Sequence, residues 1–155
     1  MMSKIRIGIV GYGNLGRGVE AAISQNDDME LVAVFTRRDP STVAIKSANV
    51  PVYLVKDAPK YKEQIDVMIL CGGSATDLPE QVPHFAQWFN TIDSYDTHAN
   101  IPAFFDAADA VAQQNNTVSI ISVGWDPGLF SLNRLLGEAV LPAGHTYTFW
   151  GDGLS

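Results

Sequence analysis

The chain has 155 residues, 46% of them apolar and 17% charged, with 17 acidic against 10 basic residues and a formal charge of −7. That composition supports a buried core of single-domain size and argues against disorder. The anionic balance excludes a general nucleic-acid binder and a ligand of anionic membranes, and the single cysteine, Cys71, excludes an intrachain disulfide or a cysteine-rich metal cluster.

Ile5 to Val10 is a nearly continuous apolar, β-branched run, as in a strand buried on both faces of a parallel sheet. Glycines follow, then helical spacing over Leu15 to Ser24, with Leu15, Val19, Ala22 and Ile23 on one face. Asn26-Asp27-Asp28 breaks that helix, and Leu31 to Phe35 is a second strand. Prolines 40, 51 and 59 punctuate the next stretch, in which Val52 to Val55 is a short third strand. Val67 to Leu70, Thr91 to Ser94 and Val118 to Val123 read as further strands. Leu78 to Trp88, Ile101 to Gln114 and Leu129 to Ala139 read as helices, and Tyr147 to Trp150 starts another strand. Alternation of this kind predicts an α/β fold with a Rossmann-type doubly wound parallel sheet. No apolar run approaches the ~18–20 residues of a membrane span, and no secretory signal pattern opens the chain, so a cytoplasmic location is expected.

Gly11-Tyr12-Gly13-Asn14-Leu15-Gly16 fits G-x-G-x-x-G between a strand and a helix, the context that makes this pattern informative. Gly11 serves the tight turn, Gly13 the approach of a pyrophosphate, and Gly16 the close packing of helix on strand. The unpaired amides and positive dipole end of the helix hold the anion. About 20 residues beyond such a loop, NAD enzymes place an acid for the ribose 2′-hydroxyl. Here that count reaches Thr36-Arg37-Arg38, and no carboxylate stands before Asp39. A hydroxyl and two guanidinium groups suit a 2′-phosphate, so NADP is expected over NAD. Cys71-Gly72-Gly73-Ser74 ends a strand on the ligand side, with small residues that leave room for cofactor. No partner to activate Cys71 as a nucleophile is evident.

Asp93, Asp96 and His98 cluster at one strand end, and Asp126 at the next. Parallel neighbours put these ends side by side, so Asp96 and Asp126 can face one crevice. Carboxylates there suit a cationic ammonium and can take up a proton as an amine becomes an imine. Asp126 in Trp-Asp-Pro-Gly also suits a simple turn, and His98 is an alternative base. No metal-ligand spacing is present.

Beyond the loop Gly11–Arg17, the chain carries Phe-Thr-Arg-Arg (Phe35–Arg38) and Cys-Gly-Gly-Ser-Ala-Thr-Asp-Leu-Pro-Glu-Gln (Cys71–Gln81). It also carries Asp-Ser-Tyr-Asp-Thr-His (Asp93–His98), Ser-Val-Gly-Trp-Asp-Pro-Gly (Ser122–Gly128) and Thr-Phe-Trp-Gly (Thr148–Gly151). In this order and over essentially the whole chain, these segments resemble meso-diaminopimelate dehydrogenase. The resemblance implies NADP-dependent oxidation of the D-centre of meso-2,6-diaminopimelate to L-2-amino-6-oxopimelate and ammonia, reversibly, in lysine biosynthesis. It implies cofactor contacts from Tyr12 to Leu15, Thr36 to Arg38, Cys71 to Ser74, and Ser94, Tyr95 and Asp96. It implies substrate contacts from Asp96, Val123, Gly124, Trp125, Asp126, Pro127, Gly128 and Trp150, with Asp96 and Asp126 as catalytic residues near the amine. Family members continue into a second domain. The resemblance therefore implies an NADP domain over 1–123, with 124–155 the substrate loop, a helix and the start of a truncated substrate and dimerisation domain of a homodimer. Two alternatives stay open: an NADP-binding module without turnover, or another NADP oxidoreductase of the aspartate and lysine pathway.

Overall fold

A computed structural model describes residues 3–141 and Ala143. Six parallel strands form one sheet in the order β3-β2-β1-β4-β5-β6. They are β1 (Ile5–Val10), β2 (Met29–Thr36), β3 (Val52–Leu54), β4 (Val67–Leu70), β5 (Asn90–Asp93) and β6 (Ser119–Ile120). The helices are α1 (Asn14–Ile23), α2 (Leu78–Phe85), α3 (Ile101–Asn115) and α4 (Leu129–Val140). Strand order reverses between β1 and β4, which opens a crevice at their carboxyl ends.

Apolar side chains fill both faces of the sheet, as expected for strands with so few polar residues. On one face Phe35, Met68 and Leu70 pack with Leu78, Val82 and Phe85 of α2 and Phe104 and Ala108 of α3. On the other, Ile7, Ile9 and Val34 pack with Ile23 of α1 and with Tyr12. The doubly wound expectation therefore holds. Asn116, in the left-handed region, ends α3 (φ 55).

Three expectations are corrected. The expected strand Val118 to Val123 is paired only over Ser119–Ile120, because Ser122 turns to a positive φ (60) and hands its amide to the Asp93 side chain. The helix expected to reach Trp88 ends at Phe85, with Pro79 and Pro83 both inside it and unable to donate. The buried side of α1 is Gly16, Glu20 and Ile23, while Leu15 and Ala22 are exposed. A Cβ on Gly16 would lie 2.3 Å from the Gly11 carbonyl oxygen, so the glycine faces the sheet and turns Leu15 outward. The expected strand Tyr147 to Trp150 lies outside the described residues.

Glu20 sits at only 2% exposure. Its carboxylate accepts the Tyr12 hydroxyl and the amides of Lys46 (2.9 Å) and Ser47 (2.6 Å). Burial pushes its pKa up, but these donors outweigh it and the net shift is downward. Glu20→Ala leaves three donors without their acceptor and should cost about 3 kcal/mol. Thermal unfolding should show it as a fall of about 10 °C in Tm. Because the folded pKa is lowered, Glu20 stabilises the chain fully above the ordinary glutamate value of 4.5 and loses that effect as pH falls through the folded value. Glu20→Gln should remove this part of the acid sensitivity.

Candidate dinucleotide and substrate site

β1 runs into Gly11, whose φ of +90 is one that glycine adopts freely. The Gly11 amide donates to the Phe35 carbonyl at 2.8 Å, so the turn is anchored on β2. Gly13 caps α1 and would have open space around a Cβ. That space suits a pyrophosphate close to backbone amides at a helix start. Tyr12 buries its ring on the α1 side, so only its backbone serves the cleft: its carbonyl accepts from Arg38 Nη2 at 3.1 Å.

A cleft of about 380 Å³ opens at this point. Its walls are the stretch from Val10 to Asn14 with Arg17, the stretch from Phe35 to Arg38, Val55, Cys71 to Gly73, and Asp77 and Gln81. Of the expected cofactor residues, Gly11, Tyr12, Gly13, Asn14, Thr36, Arg37, Arg38, Cys71, Gly72 and Gly73 line it. Leu15, Gly16, Ser74, Ser94, Tyr95 and Asp96 do not. The Thr36 hydroxyl accepts the Arg38 amide at 3.1 Å, folding the β2 end into a tight turn with both arginines beside the cleft. Cys71 is half-buried, and desolvation pushes its thiol up to about 12, so it supplies no thiolate near neutral pH.

A second cluster lies at the ends of β4, β5 and β6. Ser74 Oγ accepts the Asp96 amide at 2.9 Å, joining the loops after β4 and β5. His98 Nε2 lies 3.2 Å from the Asp126 carbonyl oxygen and 4.0 Å from its carboxylate, joining the loops after β5 and β6. So Asp96 and Asp126 stand on linked loops at one end of the sheet. Asp93 is buried beneath them, its Oδ1 accepting from the amides of Tyr95 (2.8 Å) and Ser122 (3.0 Å). The Tyr95 ring stacks on Phe104 at 4.0 Å, turned into the core.

Asp126 is paired with Arg134 Nη2 at 2.7 Å. That guanidinium, against some desolvation, holds its carboxyl below the usual aspartate value. Gly124 and Gly128 close the turn around it. At φ +136, a Cβ on Gly128 would stand 1.8 Å from the Gly124 carbonyl oxygen, so only glycine fits. Val123 and Trp125 are exposed beside this turn, and Pro127 is half-buried within it. Trp150 lies outside the described residues. Among the described residues, no group of three or more His, Cys, Asp or Glu side chains is placed to hold a metal. No described helix is long and apolar enough to cross a membrane.

Three residues were not singled out from sequence. Asp77 ion-pairs with Arg37, Arg134 with Asp126, and Glu20 anchors Tyr12. Asp77 had a signal, since an acid before Leu78-Pro79 marks a helix start. Glu20 had one too, as a charge set among the apolar positions of α1. Arg134 had none beyond lying two turns past Asp126.

Comparison with known proteins adds the following. A family model described as dihydrodipicolinate reductase, N-terminus, matches residues 5–70, and one described as diaminopimelic acid dehydrogenase C-terminal domain matches 124–155. The chain is 80% identical over 154 residues to a meso-diaminopimelate D-dehydrogenase of Lysinibacillus sphaericus, covering 99% of this chain and 47% of that protein. It matches a solved structure of the C. glutamicum DAP dehydrogenase in complex with DAP with a TM-score of 0.84 and 48% identity, over 99% of this chain and 47% of that one. An engineered D-amino acid dehydrogenase bound to NADP+ matches with a TM-score of 0.79 and 46% identity, over 89% of this chain and 42% of that one. The chain thus spans about half the length of the curated relatives it matches.

Proposed function

We propose that this chain, which is similar over its whole length to meso-diaminopimelate dehydrogenases, is the NADP-binding half of such an enzyme. The reaction is oxidation of meso-2,6-diaminopimelate at its D-centre, with water and NADP+, to L-2-amino-6-oxopimelate, ammonia, NADPH and a proton. The carrying observation is that Arg37 and Arg38 both line the glycine-loop cleft where an NAD enzyme would carry an acid. When bound, the nicotinamide ring supplies the hydride acceptor.

The chain's own residues do the rest. The glycine loop offers amides to the pyrophosphate, and the Thr36–Arg38 turn offers cations to the 2′-phosphate. Gly72 and Gly73 let the loop after β4 pack closely on Thr76, Asp77 and Gln81 along the far wall, and the linked Ser74 and Asp96 loops continue toward the ribose and the substrate. Asp126 and Asp96 face the substrate's cationic amine, with Trp125 and Val123 as apolar walls. Arg134 makes Asp126 a persistent anion and a weak base. Its role is then to hold the ammonium and stabilise the iminium, which leaves His98, beside it, to exchange a proton with solvent.

Residues 124–155 open the substrate and dimerisation domain of a homodimer. In support, α4 has no buried residue, and Leu132, Leu135, Leu136 and Val140 are all exposed. An apolar helix face of this kind is one that further chain or a second copy covers. Lysine biosynthesis in the cytoplasm is the setting.

The same exposed face favours a second reading for the chain by itself: NADP binding without turnover. Incubation with NADP and meso-diaminopimelate, followed by the absorbance of reduced cofactor, separates the two. Turnover with the meso isomer but not the L,L isomer supports a self-sufficient enzyme. NADPH binding without turnover supports the half-enzyme, and neither binding nor turnover sinks both.

A further inference from the structure

Arg37 and Asp77 stand 40 residues apart in sequence and face each other across the dinucleotide cleft. Arg37 follows β2 and Asp77 follows β4, so their pair spans the width of β1 and its glycine loop. The contact is fork to fork: Nη1 to Oδ1 at 2.8 Å and Nη2 to Oδ2 at 3.0 Å. Asp77 is itself fixed, because Oδ2 also accepts the Gly73 amide at 2.9 Å and the side chain is only 16% exposed. Arg37, by contrast, is 68% exposed. Arg38 is held differently, by the Tyr12 carbonyl. Each arginine of the pair therefore has its own anchor.

We propose that Asp77 is a positioning residue for cofactor choice: it holds the Arg37 guanidinium across the cleft mouth, ready for the 2′-phosphate. The proposal rests on the NADP reading above and extends it to a residue outside the phosphate contact. A guanidinium has five N–H groups. Asp77 takes one from each Nη, and the rest stay available to a phosphate. The carboxylate's own charge is already met by the fork and by the Gly73 amide, so it adds little repulsion. Released from Asp77, a long exposed side chain spreads over many rotamers and must be ordered again on binding, which weakens affinity.

Asp77→Asn is the informative change. The amide keeps an acceptor for the Gly73 N–H and the same size, and loses only the charge and the fork. Titration of this chain with NADPH and with NADH, by fluorescence, reads the result. Asp77→Asn should weaken NADPH about tenfold and NADH less than about twofold. In an Arg37→Ala background it should have no further effect on either, and Asp77→Glu should recover part of the NADPH affinity.

Equal losses of NADPH and NADH would assign Asp77 to the shape of the 71–77 loop and overturn the proposal. So would unchanged or tighter NADPH binding in Asp77→Asn while Arg37→Ala still lowers the NADPH to NADH preference. If Arg37→Ala leaves that preference unchanged, the 2′-phosphate reading itself fails and takes this one with it.

Discussion

Replacing Asp126 with Asn in a full-length protein carrying this chain should cut turnover of meso-diaminopimelate about a thousandfold, with NADPH affinity kept within about threefold. The asparagine fills the same space and can still accept from Arg134 and Ser131, so the turn survives. What disappears is the negative charge that, on the proposed reading, is set against the substrate's ammonium and the iminium that follows. Arg134 holds the Asp126 carboxyl below its ordinary value of 3.8. The charge is therefore complete from mildly acid pH upward, and it fades only as pH falls through that lowered value. No limb of the pH–rate profile near neutrality should belong to Asp126. Equal losses in turnover and NADPH affinity would place Asp126 in the fold and not at the substrate. A limb near pH 7 that vanishes in Asp126→Asn would make it the base after all.

Gly16→Ala should weaken NADPH binding by at least about a hundredfold. The added Cβ would lie 2.3 Å from the Gly11 carbonyl oxygen and 3.2 Å from its carbonyl carbon. These are backbone atoms, so no side chain can swing aside. Gly11 cannot retreat cheaply either, since its own Cβ position is 3.0 Å from the carbonyl oxygen of Cys71, just past the end of β4. The helix start must move off the sheet, and its amides move away from the pyrophosphate. Gly13→Ala is the contrast: with open space in the chain itself, it should leave the melting temperature near that of the unsubstituted chain and weaken only binding. A drop in melting temperature as large as that of Gly16→Ala would show that Gly13 serves the fold.

Much of this was legible in the chain. β1 is a nearly continuous apolar run and β4 an unbroken one, of a kind that a doubly covered sheet buries, and the glycine spacing marked the turn at which the cleft opens. Arg37 and Arg38 were readable because they replace an expected acid. What stayed hidden depends on pairing over distance. The bond from Asp77 to Arg37 crosses 40 positions and two strands, and nothing local in Asp77 tells a helix-start acid from an arginine anchor. Leu15 was misread in orientation because the close Gly16–Gly11 approach turns Gly16 to the sheet and sends the leucine outward. The β6 end was overextended, since Ser122 breaks the strand to satisfy a buried aspartate that sequence periodicity does not register.

The most direct test of the account is a paired titration of the unsubstituted chain with NADPH and NADH. Binding of NADPH at least about tenfold tighter than NADH, with the preference abolished in Arg37→Ala/Arg38→Ala, is the predicted result. Equal affinity for the two cofactors, or a preference that survives loss of both arginines, would contradict it.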